Sequence, residues 1–233
     1  MFEFARSDGV LQFARTGTHW LATGPGGGFE RADAAYNVTV PEGWDRTDPE
    51  VYAAERVEAA GFEPGGPALL TGVEQRHARG AQVDSVAVVA TVGLSNPTAF
   101  GPSHSEVDTG GDDTRRPGTV NLLVGTDRAL ADGTQAELLA TVVEAKAATL
   151  QRATGFSGTT SDAVVVGCDP QGEPAAFTGS ATAVGDAART CVRAAVTASL
   201  ESRYADCDVP NSVADADHGV VTTRNPDAFD PCG

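Results

Sequence analysis

Apolar and polar residues follow two different periods along this chain, and these periods predict both strands and helices. Short apolar runs, most of them with β-branched residues, predict strands at His19–Thr23, Ala35–Val40, Ala68–Gly72, Val83–Val92, Thr119–Thr126 and Ala163–Val166. Longer segments predict helices over Thr47 to about Ala60, Ala131–Ala153 and Ala183–Tyr204. Because strands and helices alternate loosely, we expect a single α/β (mixed α+β) domain with a mixed sheet flanked by helices.

Two segments lack both periods. Pro97–Pro117 is rich in Gly, Pro, Ser and Asp, which predicts a long loop. From Asp206 onward the chain carries six acids and one Arg, with Pro and Gly residues that interrupt any regular pattern. We therefore expect a folded domain over residues 1–204 and an acidic, poorly ordered C-terminal tail over residues 205–233. Removal of such a tail is expected to leave folding and activity largely intact.

The charge of the chain is strongly negative. Its 233 residues include 32 acids and 16 bases, which gives a formal net charge of -16 at pH 7. A field of this sign repels phosphate backbones and anionic lipids, so no nucleic-acid or membrane-surface partner is expected. No apolar run approaches the roughly 20 residues that a membrane-spanning helix needs. Met1–Arg15 has no apolar signal-peptide core, which predicts a cytoplasmic protein without membrane insertion.

Composition indicates a saline environment. All bases except Lys146 are Arg, and Ile is absent. GC-rich codon usage explains these preferences but not the excess of acids, which is typical of a salt-loving microbe such as an archaeon. Cys168, Cys191, Cys207 and Cys232 form no C-x-x-C motif and have no His at ligand spacing, so neither a metal site nor a disulfide is expected.

Lys146 is the most unusual candidate for chemistry. It lies on the apolar stripe of the helix predicted over Ala131–Ala153, beside Val142 and Leu150 at helical spacing. Such a lysine either extends to solvent along its stem or is held in a polar pocket, where it can act as a base or stabilise an oxyanion. Its position leaves both alternatives open. Glu144 lies on a different face of the helix, and its simplest interpretation is a solvated acid.

Further polar residues lie at strand ends or within strands. Ser95 could act as a nucleophile and Asn96 could bind a carbonyl group, although both residue types also occur in plain turns. Asn121 lies inside a predicted strand and needs a hydrogen-bonding partner. The hydroxyl-rich segment Gly155–Asp162 could coordinate polar substrate groups or be an ordinary loop.

Seven short motifs occur in a fixed order along the chain. They are W-L-A-T-G with a Gly-rich loop (Trp20–Gly28), N-V-T-V-P (Asn37–Pro41), A-L-L-T-G-V (Ala68–Val73), A-T-V-G-L-S-N-P (Ala90–Pro97), P-G-T-V-N-L (Pro117–Leu122), E-A-K-A (Glu144–Ala147) and S-G-T-T-S-D-A (Ser157–Ala163). Together they resemble the adenosylcobinamide amidohydrolase family, also called CbiZ. The resemblance covers about residues 18 to 200, and the acidic tail lies outside it.

The resemblance implies an enzyme of corrinoid salvage. Such an enzyme hydrolyses the amide that joins aminopropanol to adenosylcobinamide, and it yields adenosylcobyric acid for coenzyme B12 synthesis. No cofactor is expected, because the corrinoid is the substrate, and homo-oligomerisation is left open. The alternative is a non-catalytic corrinoid-binding or cobalamin-transport accessory protein, which explains Gly-rich loops and Asn residues but not a lysine on an apolar stripe.

Amide hydrolysis requires an activated nucleophile, a donor to the tetrahedral oxyanion and an acid for the leaving amine. Our hypothesis assigns Lys146 as base or oxyanion stabiliser, with Asp162 or Glu144 as its carboxylate partner. Ser95 is the first candidate for the nucleophile, and Thr119 is the second. Amide side chains and hydroxyls complement the polar arms of a corrinoid, and glycines allow close approach to its flat ring. The expected substrate-binding residues are Gly26, Gly27, Gly28, Asn37, Asn96, Asn121, Thr159 and Thr160.

Overall fold

The structure is a computed structural model that describes residues 1–101, 119–224 and 226–232. The strands in these ranges are β1 (Glu3–Ser7), β2 (Val10–Ala22), β3 (Gly28–Thr39), β4 (Ala68–Thr71), β5 (Arg79–Val83), β6 (Val86–Val92), β7 (Pro97–Phe100), β8 (Val120–Thr126), β9 (Gly158–Thr159), β10 (Ala163–Cys168) and β11 (Val220–Thr222). The α-helices are α1 (Pro49–Ala59), α2 (Asp132–Thr154) and α3 (Ala183–Arg203). Two short 3₁₀ turns cover Gln75–His77 and Val213–Asp215.

Eight strands form the main sheet. Its order is β4-β3-β2-β10-β8-β6-β5, and β1 pairs with β2 beside this path. β4 runs parallel to β3 and β10 runs parallel to β8, whereas the other neighbours are antiparallel. The predicted fold class, one α/β domain with a mixed sheet flanked by helices, is confirmed.

The main sheet curls around its concave face. A β-bulge between Ala14 and Thr18, with Gly17 at φ 70°, bends the long strand β2. β3 and β4 therefore contact β8, although β2 and β10 lie between β3 and β8 in the sheet order. Across this face Asn121 Nδ2 of β8 donates a hydrogen bond to Asn37 Oδ1 of β3 at 2.9 Å. The curl thus brings distant strand ends together.

Side chains that alternate along the strands supply two apolar faces of the sheet. In β8, Leu122 packs against α2 and α3, whereas Leu123 packs on the concave side with Phe2, Phe13 and Trp20. α1 covers a third apolar cluster on β3 and β4. Burial of each side chain of this size contributes about 1.5–3 kcal/mol to the stability of the fold. The strands that carry the polar residues described below are therefore stabilised by apolar packing on both faces.

The three predicted helices are confirmed, and each end lies within two residues of its expected position. Pro49 opens α1, and Gly155 follows α2 with a left-handed φ of 81°. Before α3, Thr182 Oγ1 accepts a hydrogen bond from Gly185 N at 3.0 Å. No helix in the described ranges is long and apolar enough to cross a membrane.

The predicted strands are found, but β2 begins at Val10 rather than His19 and β3 begins at Gly28 rather than Ala35, and two further corrections apply. Val83–Val92 is not one strand, because β5 and β6 form a hairpin that turns at Asp84, whose φ is 48°. The first part of the predicted loop, Pro97–Phe100, forms β7. The rest of that loop, from residue 102 to 117, lies outside the described residues.

The C-terminal segment contains a short strand and packing contacts. Its strand β11 pairs in parallel with β7, which pairs with β9 to complete a small second sheet. Val209 and Val213 pack against the apolar cluster under α2 and α3. The Val-Val-Thr run of β11 has high β-propensity, and this local preference outweighs the acidic composition around it. The division of the chain at residue 204 stays a prediction.

Candidate active site

Asp162 is the most heavily hydrogen-bonded acid of the site, and it lies just before β10. Its Oδ1 accepts from Val120 N at 2.9 Å and from Thr159 Oγ1 at 2.5 Å. Its Oδ2 accepts from Thr159 N at 3.2 Å and from Lys146 Nζ. A carboxylate has about four acceptor positions, and all four are used here. The side chain is therefore held in one orientation.

Lys146 reaches Asp162 from the buried side of α2. The lysine is only 6% exposed, and its ammonium forms an ion pair with the Asp162 carboxylate. A Cβ on Gly158 would collide with Asp162 Oδ2 and would lie 3.2 Å from Lys146 Nζ, so glycine leaves room for the pair. Lys146 thus has a buried partner and does not extend to solvent. Two charges with this little exposure are stable only when paired.

A cleft of about 400 Å³ opens beside this pair. It is lined by Thr23, Gly24, Pro25, Val40, Trp44, Pro49, Leu70, Thr71, Thr119, Thr160, Ser161, Asp162 and Ala163. The polar wall of the cleft consists of Thr23, Thr71, Thr119, Thr160, Ser161 and Asp162, and the apolar wall consists of Pro25, Val40, Trp44, Pro49, Leu70 and Ala163. A lining of mixed polar and apolar residues is typical of small-molecule sites of about 300–1,000 Å³. Lys146 lies behind Asp162 and is not one of the lining residues.

Hydroxyl groups form part of the polar wall. Thr119 Oγ1 donates to Thr71 Oγ1 at 2.8 Å, and Thr71 Oγ1 also accepts from Val73 N at 3.1 Å. Thr119 directly precedes Val120, whose amide holds Asp162. The second candidate for the nucleophile therefore lies in the cleft, one residue from a donor to the carboxylate.

Trp44 forms part of the apolar wall, and sequence analysis missed it. Its indole lies 5.6 Å from the ring of Tyr52 on α1. The buried Nε1 has no hydrogen-bond acceptor among the described residues. An isolated Trp in a Gly- and Pro-containing loop was the only available signal, and without the fold it did not indicate a cleft.

Asn96, rather than Ser95, reaches the loop before β10. Asn96 Nδ2 donates to Thr160 Oγ1 at 2.6 Å and to Ser161 Oγ at 3.3 Å, while Thr160 N donates to Asn96 O at 3.1 Å. Ser95 O accepts from His218 N at 2.9 Å, and Ser95 is not one of the residues that line the cleft. Asn96 is 2% exposed and does not line the cleft, so it supports Thr160 of the polar wall from behind.

The turn that carries Asn96 is also held by Tyr204, the residue that follows α3. Leu94 N donates to Tyr204 Oη at 2.8 Å. Burial raises the pKa of Tyr204, so its hydroxyl stays protonated near neutral pH. This turn is consequently fixed by hydrogen bonds from more than one element.

Asn37 and Asn121 lie in the interior, contrary to their expected contact with substrate. Both are about 1% exposed, and they bond to each other. Asn37 Nδ2 also donates to Thr91 Oγ1 at 2.9 Å, and Asn121 Nδ2 donates to Leu70 O at 2.9 Å. Asn121 Oδ1 is buried without a donor in the described part of the chain. The two amides tie the curled sheet together beneath the cleft, and neither lines it.

Gly24 and Pro25 of the Gly-rich loop line the cleft. Gly26, Gly27 and Gly28, which were expected to bind substrate, do not line it. Gly26 has a φ of 62° and a Cβ there would lie 2.8 Å from the Glu50 carboxyl carbon. A Cβ on Gly27 would lie 2.5 Å from the carbonyl oxygen of Ala22. These glycines are therefore needed by the turn itself, and Gly28 begins β3.

Glu144 is separated from the Lys146–Asp162 pair. Its carboxylate is 66% exposed and pairs with Arg189 of α3. Of the two carboxylates expected beside Lys146, only Asp162 contacts it in the described residues. The reason is helical geometry, because residues two positions apart point about 200° away from each other.

Cysteines and metal ligands do not cluster at this site. Cys168 and Cys191 are buried, and burial raises the pKa of both thiols. Within residues 1–101, 119–224 and 226–232, no group of three or more His, Cys, Asp or Glu side chains is placed to hold a metal ion. The candidate groups for acid–base chemistry at the cleft are therefore Asp162 and its partner Lys146.

Fold and cleft define an α/β protein with a hydroxyl-rich site backed by a buried lysine–aspartate pair. The family model described as adenosylcobinamide amidohydrolase, CbiZ, matches residues 2–208. An adenosylcobinamide amidohydrolase from Halobacterium salinarum is 52% identical over 234 residues, which cover 99% of this chain and all of that protein. The chain belongs to the adenosylcobinamide amidohydrolase family, and the family resemblance found in the sequence is confirmed.

One solved structure is also similar in part. The crystal structure of the PH0078 protein from Pyrococcus horikoshii OT3 matches with a TM-score of 0.41 and 11% sequence identity. The match covers 86% of this chain and 79% of that chain. A similarity at this level has no bearing on function.

Proposed function

We propose that this chain is an amide hydrolase that cleaves the aminopropanol amide of adenosylcobinamide and releases adenosylcobyric acid. Family membership and the 52% identical adenosylcobinamide amidohydrolase support the reaction. The observation that supports a catalytic role for the cleft is the Asp162 carboxylate, which Lys146 holds from behind while Thr159 donates its hydroxyl proton to it. This is the arrangement of a hydroxyl nucleophile, its base and an orienting group.

In the first step Thr159 Oγ1 attacks the carbonyl carbon of the scissile amide. The hydroxyl proton passes along the existing 2.5 Å hydrogen bond to Asp162. Asp162 then gives this proton to the amide nitrogen as the C–N bond breaks, and aminopropanol leaves. Thr159 is 8% exposed and does not itself line the cleft, so the substrate carbonyl must reach it past its cleft-lining neighbours Thr160, Ser161 and Asp162.

In the second step a water molecule attacks the ester formed on Thr159. Asp162 accepts a proton from this water and returns one to Thr159 Oγ1, and the corrinoid carboxylic acid departs. Lys146 holds Asp162 in its orientation between the two steps, which makes it a positioning residue rather than a group that touches substrate. Cleft hydroxyls, led by Thr119 and Thr71, are the proposed donors to the oxyanion.

The two walls of the cleft fit the two parts of the substrate. Trp44, Val40, Leu70 and Pro49 offer an apolar surface for the edge of a flat ring. Thr160 and Ser161 offer hydroxyl donors and acceptors to the amide arms. A corrinoid is larger than this cleft, so most of its ring would remain outside. The side-chain arm that carries the scissile amide would enter.

Thr119 is the second candidate for the nucleophile because its hydroxyl lines the cleft. The two threonines can be compared directly. We expect Thr159→Val to lose at least a thousandfold in kcat, Thr159→Ser to retain activity, and Thr119→Val to lose less than Thr159→Val. Hydroxylamine added during turnover should divert the ester to a corrinoid hydroxamate. Near-normal turnover by Thr159→Val, with no hydroxamate formed by the wild type, would contradict a Thr159 ester and favour direct attack by water.

The biological setting is part of the proposal. A cytoplasmic location, growth in high salt and the absence of nucleic-acid partners are supported by the net charge of -16 and by the source of the relative. The proposal includes no cofactor, because the Asp162 carboxylate, the Thr159 hydroxyl and water provide the proton transfers. Oligomerisation remains open to measurement by light scattering. An accessory protein that only binds corrinoids would bind adenosylcobinamide without releasing aminopropanol.

A further inference from the structure

β11 lies beside the strand that connects to the candidate active site. In the second sheet β11 pairs with β7, with Val221 opposite Ala99. On its other side β7 pairs with β9, with Pro97 opposite Thr159. The strand that carries the proposed nucleophile is therefore separated from the C-terminal segment by β7 alone.

Residues just before β11 contact the turn that carries Asn96. His218 N donates to Ser95 O at 2.9 Å. A Cβ on Gly219 would collide with the side chain of Val213 and would lie 3.2 Å from Pro97 O, so the backbone approaches β7 closely at this point. The next residue in the turn, Asn96, holds Thr160 through two hydrogen bonds. Contacts thus continue from residue 218 to the cleft wall.

β9 has only two residues, and its pairing with β7 covers only two positions. A two-stranded ribbon is marginally stable, whereas three strands support one another. Without β11, β7 would keep only this short pairing in the second sheet. The side chains of β11 are largely exposed, with Val220 at 47%, so the strand adds little to the core. Its main physical effect is local order at β7 and β9.

From these contacts we infer that residues 217–222 position the active-site loop of residues 157–162 through β7. This segment lies beyond residue 208, where the family match ends. The inference reverses the expectation that the acidic tail is dispensable. It rests on the proposed function only for the measurement of kcat, because hydrogen exchange in residues 157–162 can be measured without substrate.

Two truncations of the full chain test the inference. One ends after Ala216 and removes β11 but keeps Val209 and Val213, and the matched control ends after Arg224. We expect the shorter chain to lose about a hundredfold in kcat, the effect of misplacing a catalytic group by about 1 Å, with KM changed less than threefold. Backbone amides of residues 157–162 should exchange hydrogen faster, while those of α2 and α3 stay unchanged. The control should match the full chain.

A point variant covers the case in which the shorter chain does not fold. Gly219→Ala inserts a methyl group against Val213 and β7, whereas Gly133→Ala places one in open space at the start of α2. We expect faster exchange in residues 157–162 and about a tenfold lower kcat for the first variant only. Unchanged exchange and kcat in the folded Ala216 truncation, or in Gly219→Ala where the shorter chain does not fold, would overturn the inference. If the full chain releases no aminopropanol, the proposed function fails and the exchange data alone decide the role of β11.

Discussion

Replacement of Lys146 by Met tests the buried pair most severely. Met keeps the length and apolar contacts of the stem but removes the ammonium. Asp162 would retain its three hydrogen bonds from Val120 and Thr159. It would lose its ion pair with Lys146, the only cation that contacts it among the described residues. Side-chain exposure is 7% for the lysine and 12% for the aspartate. Removing one partner of such a pair costs about 3–5 kcal/mol.

The three remaining donors place the expected loss near the lower limit, at about 3 kcal/mol. For a chain of this size that corresponds to a fall in Tm of about 6–12 °C. The kcat should fall about a hundredfold or more, because the carboxylate loses its orientation. Thermal melts and an aminopropanol-release assay on wild type and Lys146→Met measure both effects.

A double-mutant cycle separates stability from catalysis. Asp162→Asn should destabilise by leaving the buried ammonium unpaired, and the double variant Lys146→Met/Asp162→Asn should be more stable than the two separate losses predict. Its activity should stay at background. A Lys146→Met protein that melts within about 2 °C of wild type and works within threefold of its rate would refute the reasoning.

Two further predictions concern the cleft wall and the surface. Trp44→Ala should raise KM about tenfold with a smaller change in kcat, because it removes apolar contact with the ring and leaves Asp162 in place; an unchanged KM in steady-state kinetics would remove Trp44 from the binding surface. Molar KCl should raise Tm, because it shortens the Debye length from about 30 Å in 0.01 M salt to about 3 Å and screens a net charge of -16. A Tm that is the same in dilute and molar salt would argue against adaptation to high salt.

Local sequence patterns were sufficient to predict the helices and the unusual position of Lys146. An ammonium on an apolar stripe needs a partner, and of the two acids expected beside it, Asp162 and Glu144, the fold brings Asp162 to Lys146. These features depend on residues close together in the chain or on one helix face.

Features that depend on the curl of the sheet could not be predicted. Asn37 and Asn121 meet because β3 bends across the concave face to β8, and no local pattern contains that information. Their buried contact explains why two strand asparagines that suggested substrate binding lie beneath the cleft. Trp44 and β11 were missed for the same reason, since each gains its role from strands distant in sequence.

The most direct test of the account is incubation of the full chain with adenosylcobinamide in high salt, followed by quantification of both products. The account predicts equal amounts of free aminopropanol and adenosylcobyric acid from the wild type. It predicts neither product from Asp162→Asn, whose folding is verified by circular dichroism. Binding of adenosylcobinamide without release of aminopropanol by the wild type, or undiminished release by folded Asp162→Asn, would contradict it.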